Sequence, residues 1–265
     1  MRLPSLPAVA AATVIALALA GCAAEEATKT ESGAKIVKEG KLTVCTHLPY
    51  KPFQFNEGGE TVGFDVELMD LVAEELGLEQ VIFDTPFEGI QSGQALNTGD
   101  CDVAAAGMTI TEDRAKVIDF SEPYFEATQA LLTKKGSGIT TLDDLAGKSL
   151  AVQEGTTGAI YAEENAPEGV EVRSYEDLAL LSSAVKNGQV DAGINDNGVL
   201  YDYVKENPDT EVVTEFDTGE QYGFAVKKDG NDDLLKSVND VIAAAKEDGR
   251  YDKIYEKWFG ETPQG

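Results

Sequence analysis

Residues 102–114 read Asp-Val-Ala-Ala-Ala-Gly-Met-Thr-Ile-Thr-Glu-Asp-Arg, an order that predicts a buried strand, a loop and the first turn of a helix. Residues 103–106 are small and apolar enough for a strand covered on both faces, and Gly107 ends it where a ligand can approach the backbone closely. Thr111 is placed to cap the helix, which turns the first amides outward toward negative charge. Arg114 adds a planar guanidinium able to hold a carboxylate with two parallel hydrogen bonds, with the Thr109 hydroxyl beside it. A capped helix with a surface arginine has the same local pattern, so the flanking chain has to decide.

Upstream, 41–46 alternates as a first strand, and Pro49 and Pro52 fix the loop that follows. A hairpin turn is expected at 56–60. Asp65 is expected to cap a helix through Leu76, with Leu68, Met69, Val72 and Leu76 on one face and Gly77 closing it. A strand at 81–84 and a weaker helix over 87–98, ending at Gly99, lead into the opening stretch. The rhythm is strand, helix, strand, helix, strand, the pattern of an α/β lobe.

Residues 121–129 break that rhythm, and a second run of alternating elements follows. It comprises a strand through Lys134, a capped turn at 141–146, strands at 149–152, 170–173, 190–194 and 211–215, and helices at 159–165, 177–187 and 198–206. A strand at 222–227, an amphipathic helix over 232–248 and an aromatic helix over 251–259 complete the chain, with Trp258 and Phe259 read as packing groups. One internal echo stands out. Residues 96–104 and 185–192 share a helix end, a glycine and then an aspartate leading a small-residue strand, so each half can deliver a strand end to one cleft.

The chain has 265 residues, enough for two medium lobes. Its formal charge of −27 is spread along its length and argues against nucleic acid and against an anionic lipid surface as electrostatic partners. At the start, Arg2, the apolar run 8–20 and Leu19-Ala20-Gly21-Cys22 form a pattern similar to a bacterial lipoprotein signal, too short to span a bilayer comfortably. That resemblance implies cleavage after residue 21, a lipid group on Cys22 and an exported protein held at the outer face of the cell membrane. Residues 22–38 are expected to be a flexible tether. Export permits a disulfide between Cys45 and Cys101, but in-line strands put their thiols near opposite edges of the sheet, so two unbridged cysteines are expected.

Taken together, the motifs point to one family. Pro52-Phe53-Gln54-Phe55, Gly63-Phe64-Asp65-Val66, the stretch 106–114, Asp119-Phe120-Ser121-Glu122-Pro123-Tyr124-Phe125, Gly155-Thr156-Thr157, Gln189-Val190-Asp191-Ala192 and Lys257-Trp258-Phe259-Gly260 resemble the polar amino-acid solute-binding proteins of ABC importers, across 41–260. The resemblance implies a type II periplasmic-binding-protein fold: α/β, two lobes, two hinge strands and a ligand cleft between the lobes. Mapped here, 39–124 and 225–265 form lobe 1, 129–219 form lobe 2, and the hinges fall at 124–128 and 220–224.

The same resemblance implies the site. Arg114 and the amides of Thr109 and Thr157 take the ligand's α-carboxylate, in a loop shaped by Gly155 and Thr156. The carbonyl of Ala106 beside Gly107, the Thr109 hydroxyl and Asp196 take the α-ammonium, and Tyr50 and Phe87 wall the side chain. Each charged end of a zwitterion entering a closed cleft loses water and must find charge-assisted partners. His47 and Gln153 fall where family members vary with ligand. Neither is the carboxylate that a basic ligand calls for, so a polar neutral or acidic amino acid is expected. The implied partners are that amino acid and an ABC permease, for a monomer with no cofactor and no metal. A dehydratase-like enzyme of the same fold is the alternative, but the sequence shows no paired nucleophile and base, no metal-ligand cluster and no phosphate-cradling loop.

Overall fold

A computed structural model describes residues 28–260, so the apolar leader, Cys22 and the stretch to 27 lie outside the described residues, as do 261–265. The described chain opens with a hairpin of β1 (Thr28–Lys29) and β2 (Lys35–Ile36). This corrects the reading of 22–38 as one flexible tether. Ala34 and Ile36 are buried, the Asn231 side chain bonds both the N–H and the C=O of Lys35, and Asp102 Oδ1 accepts from the N–H of Val37 at 2.6 Å. From Thr28 onward the segment packs on the body of the protein.

The elements that follow are β3 (Lys41–Thr46), the hairpin β4 (Phe55–Glu57) and β5 (Glu60–Val62), α1 (Phe64–Glu75), β6 (Glu79–Asp84), α2 (Phe87–Gln91), α3 (Gln94–Thr98), β7 (Val103–Ala104), α4 (Glu112–Ala115) and β8 (Ile118–Phe120). Next come β9 (Phe125–Lys134), a 3-10 turn at Leu142–Leu145, β10 (Ser149–Gln153), α5 (Thr157–Asn165), β11 (Glu171–Tyr175), α6 (Leu178–Lys186), β12 (Ala192–Asp196), α7 (Asn197–Glu206) and β13 (Thr210–Tyr222). The chain then returns through β14 (Ala225–Lys227), α8 (Asp232–Asp248) and α9 (Arg250–Phe259).

Two five-stranded sheets organise the two lobes. The first has the order β6-β3-β7-β14-β8 and the second β11-β10-β12-β9-β13. In each, the first three strands are parallel and the next two pair antiparallel. The internal echo is therefore structural. β7 and β12 occupy the same place in their sheets, and each is preceded by an aspartate that clamps the neighbouring strand: Asp102 Oδ2 accepts from the N–H of Thr43 at 2.7 Å, and Asp191 Oδ2 from the N–H of Ser149 at 2.8 Å.

β9 and β13 pair with each other from Thr210↔Lys134 to Tyr222↔Phe125, and it is at the latter end that the chain passes between the sheets. β13 thus runs well beyond the expected strand at 211–215, because β9 offers a partner along its whole length. Behind this crossing sits an aromatic cluster. The Phe53 ring lies 4.9 Å from Phe125, 5.3 Å from Tyr222 and 5.5 Å from Phe259, while Trp258 packs edge-on against Phe55. On α8, Leu234, Val238, Val241, Ile242 and Ala245 form the buried face that their spacing predicts.

Three further expectations are corrected. Cys45 and Cys101 form a disulfide, with Cα atoms 5.5 Å apart. A bend at Asp102 is the reason: the chain leaving α3 does not run in line with β7, and Cys101 comes back beside Cys45 within one apolar cluster. Asp65 does not cap α1. Gly63 does, at φ 141, and a Cβ on it would lie 2.1 Å from the Phe53 carbonyl oxygen. Asp65 is instead wholly buried one residue inside the helix. The helix expected over 87–98 is two short ones, broken at Ser92 and at Gly93, which takes a left-handed φ of 74.

Candidate functional site

Eleven of the residues expected at a site line one cavity: His47, Tyr50, Phe87, Ala106, Gly107, Thr109, Arg114, Gln153, Thr156, Thr157 and Asp196. They come from the loop after β3, the start of α2, the loop after β7, α4, the end of β10, the start of α5 and the end of β12. Gly155 joins them through its carbonyl. The cavity measures about 20 Å³, room for little more than one water.

Gly107 shows why the loop after β7 has this shape. It sits at φ 55, and a Cβ there would lie 2.8 Å from the Tyr50 ring, so the close approach of ring and backbone excludes a side chain. Its N–H donates to Asp65 Oδ2 at 2.8 Å, and the Tyr124 hydroxyl donates to Asp65 Oδ1 at the same distance. Burial pushes the Asp65 carboxyl up to about 7 against the pull of those two donors. Asp65 thus anchors the loop from behind.

Thr111 caps α4 as expected, its hydroxyl accepting from the N–H of Arg114 at 3.2 Å. The Arg114 side chain is buried, donating from Nη1 to the Thr109 carbonyl at 2.7 Å and from Nη2 to the Gly155 carbonyl at 2.9 Å. The Phe87 ring stacks under it, with the guanidinium carbon 5.2 Å from the ring centre. Burial lowers the Arg114 pKa, while Asp196 and Glu220 oppose that shift. Opposite, Thr156 caps α5 by accepting from the N–H of Ala159 at 3.1 Å, so the first turn of that helix opens on the same cavity.

Two carboxylates stand at the centre. Asp196 Oδ2 receives the hydroxyls of Tyr50, at 2.8 Å, and Tyr222, while Oδ1 lies 2.5 Å from the Gln129 amide nitrogen. Burial first, and the neighbouring Glu220 second, raise the Asp196 carboxyl to about 6. Glu220 Oε2 accepts from Thr109 Oγ1 at 2.7 Å and Thr157 Oγ1 at 2.8 Å, and Oε1 from Gln129 at 3.0 Å. One buried carboxylate on β13 thereby ties the loop after β7 to the start of α5.

Glu220, Gln129, Tyr222 and Asn195 were not singled out from sequence. Nothing in 219–222 marks Glu220 and Tyr222 in the sequence itself; their period of two, which puts both on one face of a strand, shows only in the burial along β13. Gln129 and Asn195 carry no mark either. Chemically, the cavity offers a fixed guanidinium, the Asp196 carboxylate, the start of α5 and two aromatic walls, with the Glu220 carboxylate behind Thr109 and Thr157.

Comparison with known proteins follows the same outline. Residues 42–261 match the profile of the bacterial extracellular solute-binding proteins, family 3. A glutamine-binding protein of an ABC transporter from Bacillus subtilis (strain 168) is 40% identical over 210 residues, covering 77% of this chain and 75% of that protein. Among solved structures, an ancestral arginine-binding protein bound to glutamine is 44% identical, with a TM-score of 0.79 over 84% of this chain and 100% of that one. An ancestral amino acid-binding protein described as a precursor of cyclohexadienyl dehydratase is 40% identical, with a TM-score of 0.74 over 83% of this chain and 95% of that one.

Proposed function

The chain belongs to the bacterial extracellular solute-binding proteins of family 3, and from that premise we propose that it is the substrate-binding component of an ABC importer, taking a polar neutral or acidic L-amino acid into the cleft and delivering it to the permease. One observation carries the reading. Arg114 and Asp196, buried and of opposite sign, face one cavity with Tyr50 and Phe87 as its walls, which is the complement of a zwitterion's two charged ends. Arg114 exchanges its bonds to backbone carbonyls for the ligand's carboxylate, with the amides of Thr109 and Thr157, while Asp196, the Ala106 carbonyl and the Thr109 hydroxyl receive the ammonium. The paired ends of β9 and β13, at 124–128 and 220–224, act as hinges between lobe 1 (39–124 and 225–265) and lobe 2 (129–219). The protein works as an exported monomer, held at the outer face of the cell membrane by lipid on Cys22 and performing no chemistry on its ligand.

A thermal-shift screen over the twenty amino acids tests the reading, because a ligand bound only by the folded state raises the melting temperature. A clear shift for a small set of polar amino acids, with ligand recovered unchanged after hours, supports a carrier. Ligand consumption moves the protein to the cleft-enzyme class. Cys22→Ser is expected to release protein into the medium with its affinity intact, and full retention on cells contradicts the anchor.

A further inference from the structure

Two cavity-lining side chains have their hydrogen-bonding sense set by backbone groups that cannot reverse. His47 Nδ1 lies 3.0 Å from the carbonyl oxygen of Thr85. A carbonyl only accepts, so Nδ1 carries the proton, and in the neutral ring the lone pair is on Nε2. Nε2 is buried with no partner among the described residues. The second relay starts at the backbone N–H of Asp196, which donates to Asn195 Oδ1 at 2.9 Å. With its oxygen fixed there, Asn195 turns its amide nitrogen to Gln153 Oε1 at 3.1 Å. Gln153 therefore keeps its oxygen toward Asn195 and leaves its NH₂ to the cavity that both it and His47 line.

Building on the amino-acid-binding reading, we propose that His47 and Gln153 form an acceptor and donor pair selecting a side-chain carboxamide, that of glutamine or asparagine, over a carboxylate or a guanidinium. A carboxamide satisfies both: its oxygen accepts from Gln153 and its NH₂ donates to His47. A carboxylate sets lone pair against lone pair at His47, and a guanidinium sets N–H against N–H at Gln153. In a closed cleft a mismatched group has lost its water without gaining a partner, and a site built on hydrogen bonds rejects such ligands strongly. Asn195 is a positioning residue in this scheme. It acts through Gln153.

Calorimetry at about pH 8.5 with glutamine, glutamate and arginine is the test. Glutamine is expected to bind at least about tenfold more tightly than either of the others. Equal or tighter binding of glutamate or arginine overturns the pair while leaving the amino-acid reading in place; no binding of any amino acid overturns both. Asn195→Ala frees the Gln153 amide to turn and is expected to cut the glutamine-to-glutamate ratio at least about fivefold. A loss equal for both ligands contradicts the relay. Gln153→Glu replaces the donor by an acceptor and is expected to favour arginine over glutamine; an unchanged order contradicts the role of Gln153, and the ratios in the unmodified protein stand whether or not either variant folds.

Discussion

Arg114 Nη2 reaches the carbonyl oxygen of Gly155 at 2.9 Å, so the guanidinium assigned to the ligand's carboxylate also joins the loop after β7 to the start of α5. A bond that closes the cleft without ligand competes with the one that closes it around ligand. The ligand's differential affinity for the closed state is the free energy that decides between them.

Arg114→Ala is expected to reduce amino-acid affinity by about 2 to 5 kcal/mol, the usual cost of removing one partner of a buried charged pair. Arg114→Lys should also be poor, because a point charge cannot reproduce the planar two-pronged contact. Calorimetry on folded variants checks both, and unchanged affinity moves the carboxylate site elsewhere.

Asp196 must be ionised to receive an ammonium, and its carboxyl is raised to about 6 by burial and by Glu220. Ligand affinity is expected to fall as pH drops through about 6, since protons then compete for the same oxygens. Glu220→Gln removes the neighbouring negative charge, which lowers the Asp196 pKa and moves this acid limb to lower pH. A limb that stays put in the variant shows that Glu220 does not act on Asp196.

Asp65 gives the fold a pH dependence of opposite sign to the usual carboxylate case. Its folded value, about 7, exceeds the ordinary 3.8, so the folded state holds a proton that the unfolded state releases. Stability is therefore greatest below about pH 4 for this group and is lost as pH rises toward 7, by up to about 4 kcal/mol taken alone. Asp102, raised to about 6 by burial, acts in the same direction. Denaturant melts between pH 5 and 7.5 should show the decline, and Asp65→Asn should flatten it. An equal slope in the variant assigns the effect to other groups.

The Cys45–Cys101 bridge closes a loop of 56 residues, and its loss through Cys45→Ala with Cys101→Ala is expected to cost about 2 to 5 kcal/mol in thermal or denaturant unfolding. Intact mass of the alkylated protein, with and without reductant, tests the bridge itself. Alkylation of both thiols without reductant contradicts it.

The first lining of the cleft was legible because its residues sit in contiguous motifs where strands end: 106–114 after β7, 155–157 after β10 and Asp196 at the end of β12. What lies behind it was not. Glu220 and Gln129 meet only because β9 and β13 pair antiparallel, a relation between segments 91 residues apart that no local pattern carries. Asp65 looked like a cap because acidic residues often start helices; Gly63, forced by the Phe53 carbonyl, already held that place. The hairpin at 28–36 looked like a tether because its anchor, Asn231, is 196 residues from Lys35. Likewise the cysteines looked unbridgeable only on the assumption that the chain runs straight through Asp102.

The central claim is that this cleft grips both charged ends of an amino acid, Arg114 one and Asp196 the other. Calorimetry with the best ligand from the amino-acid screen, its α-amide and its N-acetyl derivative tests it most directly. The account predicts one-to-one binding of the free amino acid and a loss of at least about a hundredfold for each blocked form, since each leaves one buried charge unpartnered. Comparable affinity for either blocked form would contradict it.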